Sequence, residues 1–219
     1  MTKSNNMTIA ESIQNIQKEI PETATLVAVS KTKPNKAIQE AYDSGQRIFG
    51  ENKVQELAQK YEDLPKDIEW HLIGHLQTNK VKYIAPFVSM IHTVDSIKLL
   101  KEINKQATKN NRVIDCLFQV KIAEEESKFG LSKTETESLL NSEEIKELTN
   151  IKIVGLMGMA TNSSDETQVK EEFNTLHTFF KQQPELSILS MGMSGDYKIA
   201  IQEGSTMIRV GSTIFGGRN

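Results

Sequence analysis

Eight short apolar runs, each separated from the next by a stretch of helical periodicity, leave this chain very few architectures. The runs are TLVAV at 25–29, RIF at 47–49, EWHLI at 69–73, MIHTV at 90–94, IDCLFQVKI at 114–122, IKIVGLM at 151–157, SILSM at 187–191 and MIRV at 207–210. Between them apolar residues recur every three or four positions, as in Val54, Leu57, Ala58 and Tyr61, or Val169, Phe173, Leu176 and Phe180. Such alternation makes parallel sheet, because each strand needs a crossover to reach a parallel neighbour and the helix supplies it. An open doubly wound sheet usually has fewer strands and a G-x-G-x-x-G turn after the first, where this chain reads SKTKP. The expectation is an α/β fold, a single (β/α)8 TIM barrel over residues 1–219. An extra leading helix falls within residues 1–24, with Ile9, Ile13, Ile16 and Ile20 on one face. In finer detail, LQTNKVKYIAPF is expected to be a helix broken before Pro86. One charged helix is expected from Lys133 to Leu148, and a short helix beginning near Ser194 with that serine as its N-cap.

The bulk properties remove several function classes. A net charge of −3 gives no reason to expect nucleic acid or an anionic membrane as partner, and the few aromatic residues form no stacking platform. Cys116 is the only cysteine, so no disulfide forms within the chain and a reducing compartment is expected. The beginning, MTKSNNMTIAES, has no apolar signal region, and no run approaches the ~18 apolar residues of a membrane helix. A cytoplasmic protein follows. His71 and His75 are four apart, but a strand end and Gly74 intervene, so they do not share a helical face and no metal site is expected. His71 reads as a hydrogen-bonded core or pocket residue, and Glu124–Glu125–Glu126 as a solvated loop.

In a barrel of this kind the chemistry sits at the carboxyl ends of the strands. The first strand runs through Val27 and Val29 to Lys31, three residues that share a face. A lysine there is partly desolvated, which favours the neutral amine that adds to aldehydes. The plainer alternative is a solvent-facing lysine at a strand end. After the seventh run stands SMGMSGDYKIA, and after the eighth RVGSTIFGGR. Both loops offer glycines, hydroxyls and backbone amides of the kind that receive a phosphate, at the place where barrels commonly bind one. The plainer alternative is a helix cap and a turn. Arginine is scarce: Arg47, Arg112, Arg209 and Arg218 are the full set, and Arg209 lies inside the apolar eighth run. A buried guanidinium there either neutralises a core carboxylate, for which the sequence offers no candidate, or faces a ring nitrogen of a ligand.

Together SKTKP, FGENKVQE, WHLIGHLQTNK, EEESKFGL, GLMGMA and SMGMSGDYKIAIQEGSTMIRVGSTIFGGR make the chain resemble the pyridoxal phosphate homeostasis proteins from about residue 25 to 218. These are single-domain relatives of the barrel half of alanine racemase. The resemblance implies pyridoxal 5'-phosphate held as a Schiff base on Lys31, the first lysine of SKTKP, and not on Lys33. It implies that Ser194, Gly211 and Ser212 hold the phosphate and that Arg209 meets the pyridine nitrogen. Asn52 of GEN and Met157 of GLM become pocket neighbours. The implied role is storage, buffering or delivery of the cofactor by a monomer, with apo-forms of cofactor-dependent enzymes as partners.

The alternative is a racemase-like enzyme acting on amino acids. Racemisation needs an acid–base group on each face of the substrate, and Lys31 supplies one. The opposing tyrosine of alanine racemase comes from a second domain for which this sequence has no counterpart. Among Tyr42, Tyr61, Tyr83 and Tyr197, only Tyr197 stands near the expected phosphate loop. The expectation is therefore a holder of cofactor rather than a catalyst.

Overall fold

The computed structural model describes residues 7–125 and 129–217, so Glu126 and Arg218 lie outside the described residues. Eight parallel strands close into one barrel in chain order, with the last pairing the first. They are β1 (Thr25–Val29), β2 (Ile48–Glu51), β3 (Glu69–Leu72), β4 (Met90–Val94), β5 (Ile114–Gln119), β6 (Ile151–Met157), β7 (Ile188–Ser190) and β8 (Met207–Val210). Around them run α1 (Ile9–Glu19), α2 (Asn35–Asp43), α3 (Val54–Asp63), α4 (Ile97–Lys109), α5 (Lys133–Leu140), α6 (Glu143–Lys146), α7 (Glu166–Lys181), α8 (Tyr197–Gln202) and α9 (Ser212–Phe215). The (β/α)8 architecture expected from the alternation is the one observed. The leading helix α1 starts at a capping box between Thr8 and Glu11 and buries Ile13 and Ile16, packing beside α2 and α9.

Strand parity sorts the side chains into two cores. Leu26, Ala28, Phe49, Trp70, Leu72, Ile91, Phe118, Leu156, Leu189, Ile208 and Val210 point outward under the helices and belong to the larger cluster. Val27, Met90, Leu117, Val154, Met157 and Met207 point inward and fill the barrel axis. Val154 and Met157 are three apart yet share the interior, because the β5–β6 register shifts between Cys116 and Leu117 and gives β6 one extra residue. Toward the carboxyl ends the inward positions turn polar. His92 follows Met90 by two, Ser190 follows Ile188 by two, and Arg209 follows Met207 by two, all buried.

Three expectations about local structure change. The segment after β3 forms a 3-10 helix, Thr78–Tyr83, rather than an α-helix. Its buried anchors Val81 and Ile84 are three apart, a spacing that suits three residues per turn. The expected single helix from Lys133 to Leu148 is two. Asn141 closes α5 with both its amide and its side chain on the Glu137 carbonyl, and the Ser142 hydroxyl accepts the Glu144 amide to open α6. Ser194 does not cap α8, whose N-cap is Asp196. A turn intervenes, in which the Asp196 carboxylate accepts the Met193 amide at 2.7 Å.

Candidate functional site

At the carboxyl mouth of the barrel Val29, Lys31, Asn52, Ile73, Met159, Met193, Ser194, Arg209, Gly211 and Ser212 line one cavity of about 390 Å³. That volume suits a small molecule. As parity requires, Val27 lies in the barrel interior below while Val29 and the half-buried Lys31 reach the cavity. Lys31 occupies a tight turn closed by the Lys33 amide on the Ser30 carbonyl at 3.0 Å. The next residue, Thr32, has φ of +64°, a left-handed conformation that costs an L-residue roughly 1–2 kcal/mol and suits a β-branched one least. Lys33 points elsewhere: its Nζ donates to the carbonyls of Gly216 and Gly217, each at 3.1 Å.

Asn52 reaches the cavity because the chains after β2 and β3 run almost in contact. A Cβ at Gly74 would lie 2.3 Å from the Asn52 carbonyl oxygen, so only glycine fits there. Across the mouth, the Ser194 hydroxyl accepts the Gly211 amide at 3.1 Å and the Thr213 amide at 3.4 Å. The loop after β7 is thus tied to the first turn of α9, the helix after β8. Gly211 permits this approach, since a Cβ there would stand 3.1 Å from the Val29 carbonyl oxygen and press on β1.

Arg209 pairs in register with Val27 and is almost fully buried. Its guanidinium donates to the Ser190 hydroxyl and to the Gly158 carbonyl, the latter at 3.3 Å. Burial lowers its pKa to about 10, partly offset by the field of Asp196, so the group remains a cation at neutral pH. The chain of contacts continues inward: Ser190 Oγ lies 2.9 Å from His92 Nδ1, and His92 Nε2 lies 2.9 Å from His71 Nδ1. Burial holds His71 down to about 4, and burial with the charges of His71 and Arg209 holds His92 well below its ordinary value.

These histidines set a pH dependence. A folded-state pKa below the unfolded 6.5 means that the unfolded chain takes up protons first, so stability is full above pH 6.5 and is lost as pH falls toward 4. For His71 the difference corresponds to about 3 kcal/mol. Melting temperatures measured from pH 7 down to pH 4 should fall, and His71→Gln should flatten that fall; an unchanged slope in the variant would show that His71 does not carry it.

Of the residues singled out in the sequence, Lys31, Asn52, Ser194, Arg209, Gly211 and Ser212 converge on the cavity. Met157 does not line it. It is fully buried in the interior cluster, and Met159, two residues on, forms the wall. Tyr197 is buried, with its hydroxyl donating to Glu19 of α1; burial and that bond raise its pKa to about 12, so it is no base facing Lys31. The sequence reading missed His92 and Ser190. The available signal was a histidine inside the apolar run MIHTV, the same anomaly that marked Arg209 in MIRV. Among the described residues no three His, Cys, Asp or Glu side chains converge as metal ligands, and no helix is long and apolar enough to cross a membrane. A larger groove of about 510 Å³ between α3 and the 3-10 helix lies away from the strand ends.

The donor set fits a phosphorylated pyridine aldehyde. A lysine amine stands on one side, a buried cation with neutral partners at the back, and a close-packed glycine with serine-rich loops on the other side.

Comparison with known proteins agrees with this geometry. The family model for the N-terminal domain of alanine racemase matches residues 5–219. A pyridoxal phosphate homeostasis protein of Vibrio alginolyticus is 42% identical over 210 residues, covering 91% of this chain and 88% of that one. The Escherichia coli K12 protein of the same name is 38% identical over 207 residues, with coverages of 91% and 88%. Among solved structures, PipY of Synechococcus elongatus with PLP bound superposes with a TM-score of 0.86 at 36% identity, covering 95% of this chain and all of that one. Alanine racemase of Bartonella henselae shares the fold, with a TM-score of 0.73 at 18% identity, and this chain spans 58% of its length.

Proposed function

The chain belongs to the alanine racemase N-terminal domain family and, within it, to the pyridoxal phosphate homeostasis proteins, and from that premise we propose that it binds pyridoxal 5'-phosphate at the barrel mouth and serves its storage, buffering or delivery. The observation that carries this reading is the meeting of Lys31, Arg209 and the Ser194–Gly211–Ser212 loops in one cavity. Each does a different task. The Lys31 amine holds the aldehyde carbon covalently. The Gly211 and Ser212 backbone and the Ser194 hydroxyl receive the phosphate. Arg209 donates toward the ring nitrogen and, as a fixed cation, keeps protons off it. The bound group is an electron sink when its ring nitrogen is protonated, and an arginine partner weakens that capacity. A site that grips the cofactor and blunts its reactivity suits a holder better than a catalyst. Asn52 borders the same cavity and Met159 walls it, while Met157 supports from beneath.

The proposed setting is the cytoplasm, where the single buried Cys116 stays a thiol, and the proposed recipients are apo-forms of enzymes that need the cofactor, served by a monomer. Purified protein should be yellow or become so with added pyridoxal phosphate, and borohydride should fix the cofactor's mass on the peptide containing Lys31. Incubation of the loaded protein with L-amino acids in deuterated water should give no sustained α-proton exchange. Sustained exchange or accumulation of D-isomer would replace the holder by the racemase reading.

A further inference from the structure

The turn that carries Lys31 is fastened on both sides by charged side chains that do not themselves line the cavity described above. Lys60 of α3 is buried, with Nζ 2.7 Å from the Ser30 carbonyl oxygen, 2.5 Å from Glu51 Oε1 and 2.7 Å from Glu56 Oε1. Glu51, wholly buried at the end of β2, also accepts the Ser30 hydroxyl at 2.7 Å. Glu56 also accepts the Thr32 amide at 2.6 Å. The residue before Lys31 is therefore held by its carbonyl and hydroxyl, and the residue after it by its amide. Lys60 spends its three protons on this arrangement.

Two features argue for a task other than general stability. An ion pair buried this deeply gains little over an apolar substitute of the same shape, because both ions are stripped of water. Glu51 bears that cost openly: its second oxygen, Oε2, is buried without a partner, and burial raises its pKa. What the triad holds is also strained, for Thr32 sits at φ +64° where glycine or asparagine is usual in a tight turn.

We propose that Lys60, with Glu51 and Glu56, is a positioning device that locks the strained Ser30–Lys33 turn and so aims the Lys31 amine at the place where an aldehyde is captured. The proposal rests on the cofactor-holding role given above. In the capture the neutral amine adds to the aldehyde carbon, and the aldehyde oxygen leaves as water with both amine hydrogens, giving a carbon–nitrogen double bond. Only this bond depends on the aim of Lys31; the phosphate contacts lie on other loops.

The test compares two ligands on the full chain: pyridoxal 5'-phosphate, and pyridoxine 5'-phosphate, which has an alcohol in place of the aldehyde. Lys60→Met keeps the volume and removes the ammonium. It should weaken capture of pyridoxal phosphate, read by absorbance and by borohydride-fixed mass, at least ~10-fold, while pyridoxine phosphate affinity stays within about 2-fold. Adding Thr32→Gly to that variant should restore most of the capture, since glycine takes the same φ without strain. Should Lys60→Met fail to fold, Glu56→Ala, which removes the partner of the Thr32 amide and one of the three acceptors of Lys60 but leaves Lys60 paired with Glu51, reads the same split. Unchanged capture, equal loss of both ligands, or no recovery with Thr32→Gly would overturn the proposal. A wild-type protein that binds neither ligand would overturn the underlying reading, and the proposal with it.

Discussion

Lys31→Ala should yield a colourless protein that no longer gains the cofactor's mass on borohydride treatment. Among the described residues the side chain is the one amine on the cavity wall. What remains is a reversible site. The Ser194, Gly211 and Ser212 loops and Arg209 are untouched, so the phosphate and ring are still recognised, but dialysis should now empty the protein where it leaves the wild type loaded. The fold should persist, because Lys31 is only half buried and the turn around it is held by Ser30 and Thr32; a change of about 1 kcal/mol or less is expected. Lys33→Ala makes a useful contrast. Its ammonium secures the Gly216 and Gly217 carbonyls beyond α9, so its loss should loosen that end of the phosphate loop slightly and leave covalent capture intact. Reduced adduct appearing on another lysine in the Lys31→Ala protein would move the attachment point and overturn this assignment.

Arg209→Ala should act on stability as well as binding. Removing the guanidinium spares the cost of keeping a cation buried, yet it strands oriented partners: the Ser190 hydroxyl, the Gly158 carbonyl and, through Ser190, the His92–His71 pair. Water from the mouth can refill part of the gap, since Arg209 lines the cavity. A net loss of about 2 kcal/mol is expected, which in a chain of this size lowers the melting temperature by roughly 4–8 °C. Arg209→Lys keeps the charge and loses the fork, so it should recover part of the stability while leaving the ring nitrogen without its fixed donor. The spectrum of the bound cofactor then shifts its pH dependence, which a purely structural role for the residue would not produce. A melting temperature within about 2 °C of wild type in Arg209→Ala would refute the stability half of the prediction.

The barrel was legible in the sequence because its signals are local. Each strand is a short apolar run and the longer helices between them are periodic, and eight such strands leave one closed arrangement. Lys31 was legible for a similar reason, since parity along TLVAVSK places it on the face of Val27 and Val29. Where the reading failed, the deciding contact was distant or depended on the closed barrel. Met157 and Met159 stand two apart and pack in the same interior cluster, and which of them reaches the wall depends on how deep the cavity cuts into the barrel, which no composition announces. The His71–His92–Ser190 line crosses three strands up to 119 residues apart in number from the first to the last; the histidine inside MIHTV hints at one member, but nothing along the chain says what it meets. Glu56 and Lys60 look like an ordinary exposed pair four residues apart on a helix; only Glu51, arriving from β2, turns them into a triad with its centre buried.

The seam between β1 and β8 also dictates when the site comes into being. Thr25, Leu26, Val27 and Ala28 pair with Met207, Ile208, Arg209 and Val210, so the first strand to be synthesised waits for the last before it has a neighbour on that side. Until residues 207–213 have left the ribosome and docked, the lysine has neither the Gly211–Ser212 loop nor Arg209 across the cavity from it. Contacts so far apart along the chain form late and slowly. The cofactor therefore cannot template the early stages of folding. It can only latch a barrel that has already closed, and saturating cofactor should slow unfolding far more than it speeds refolding.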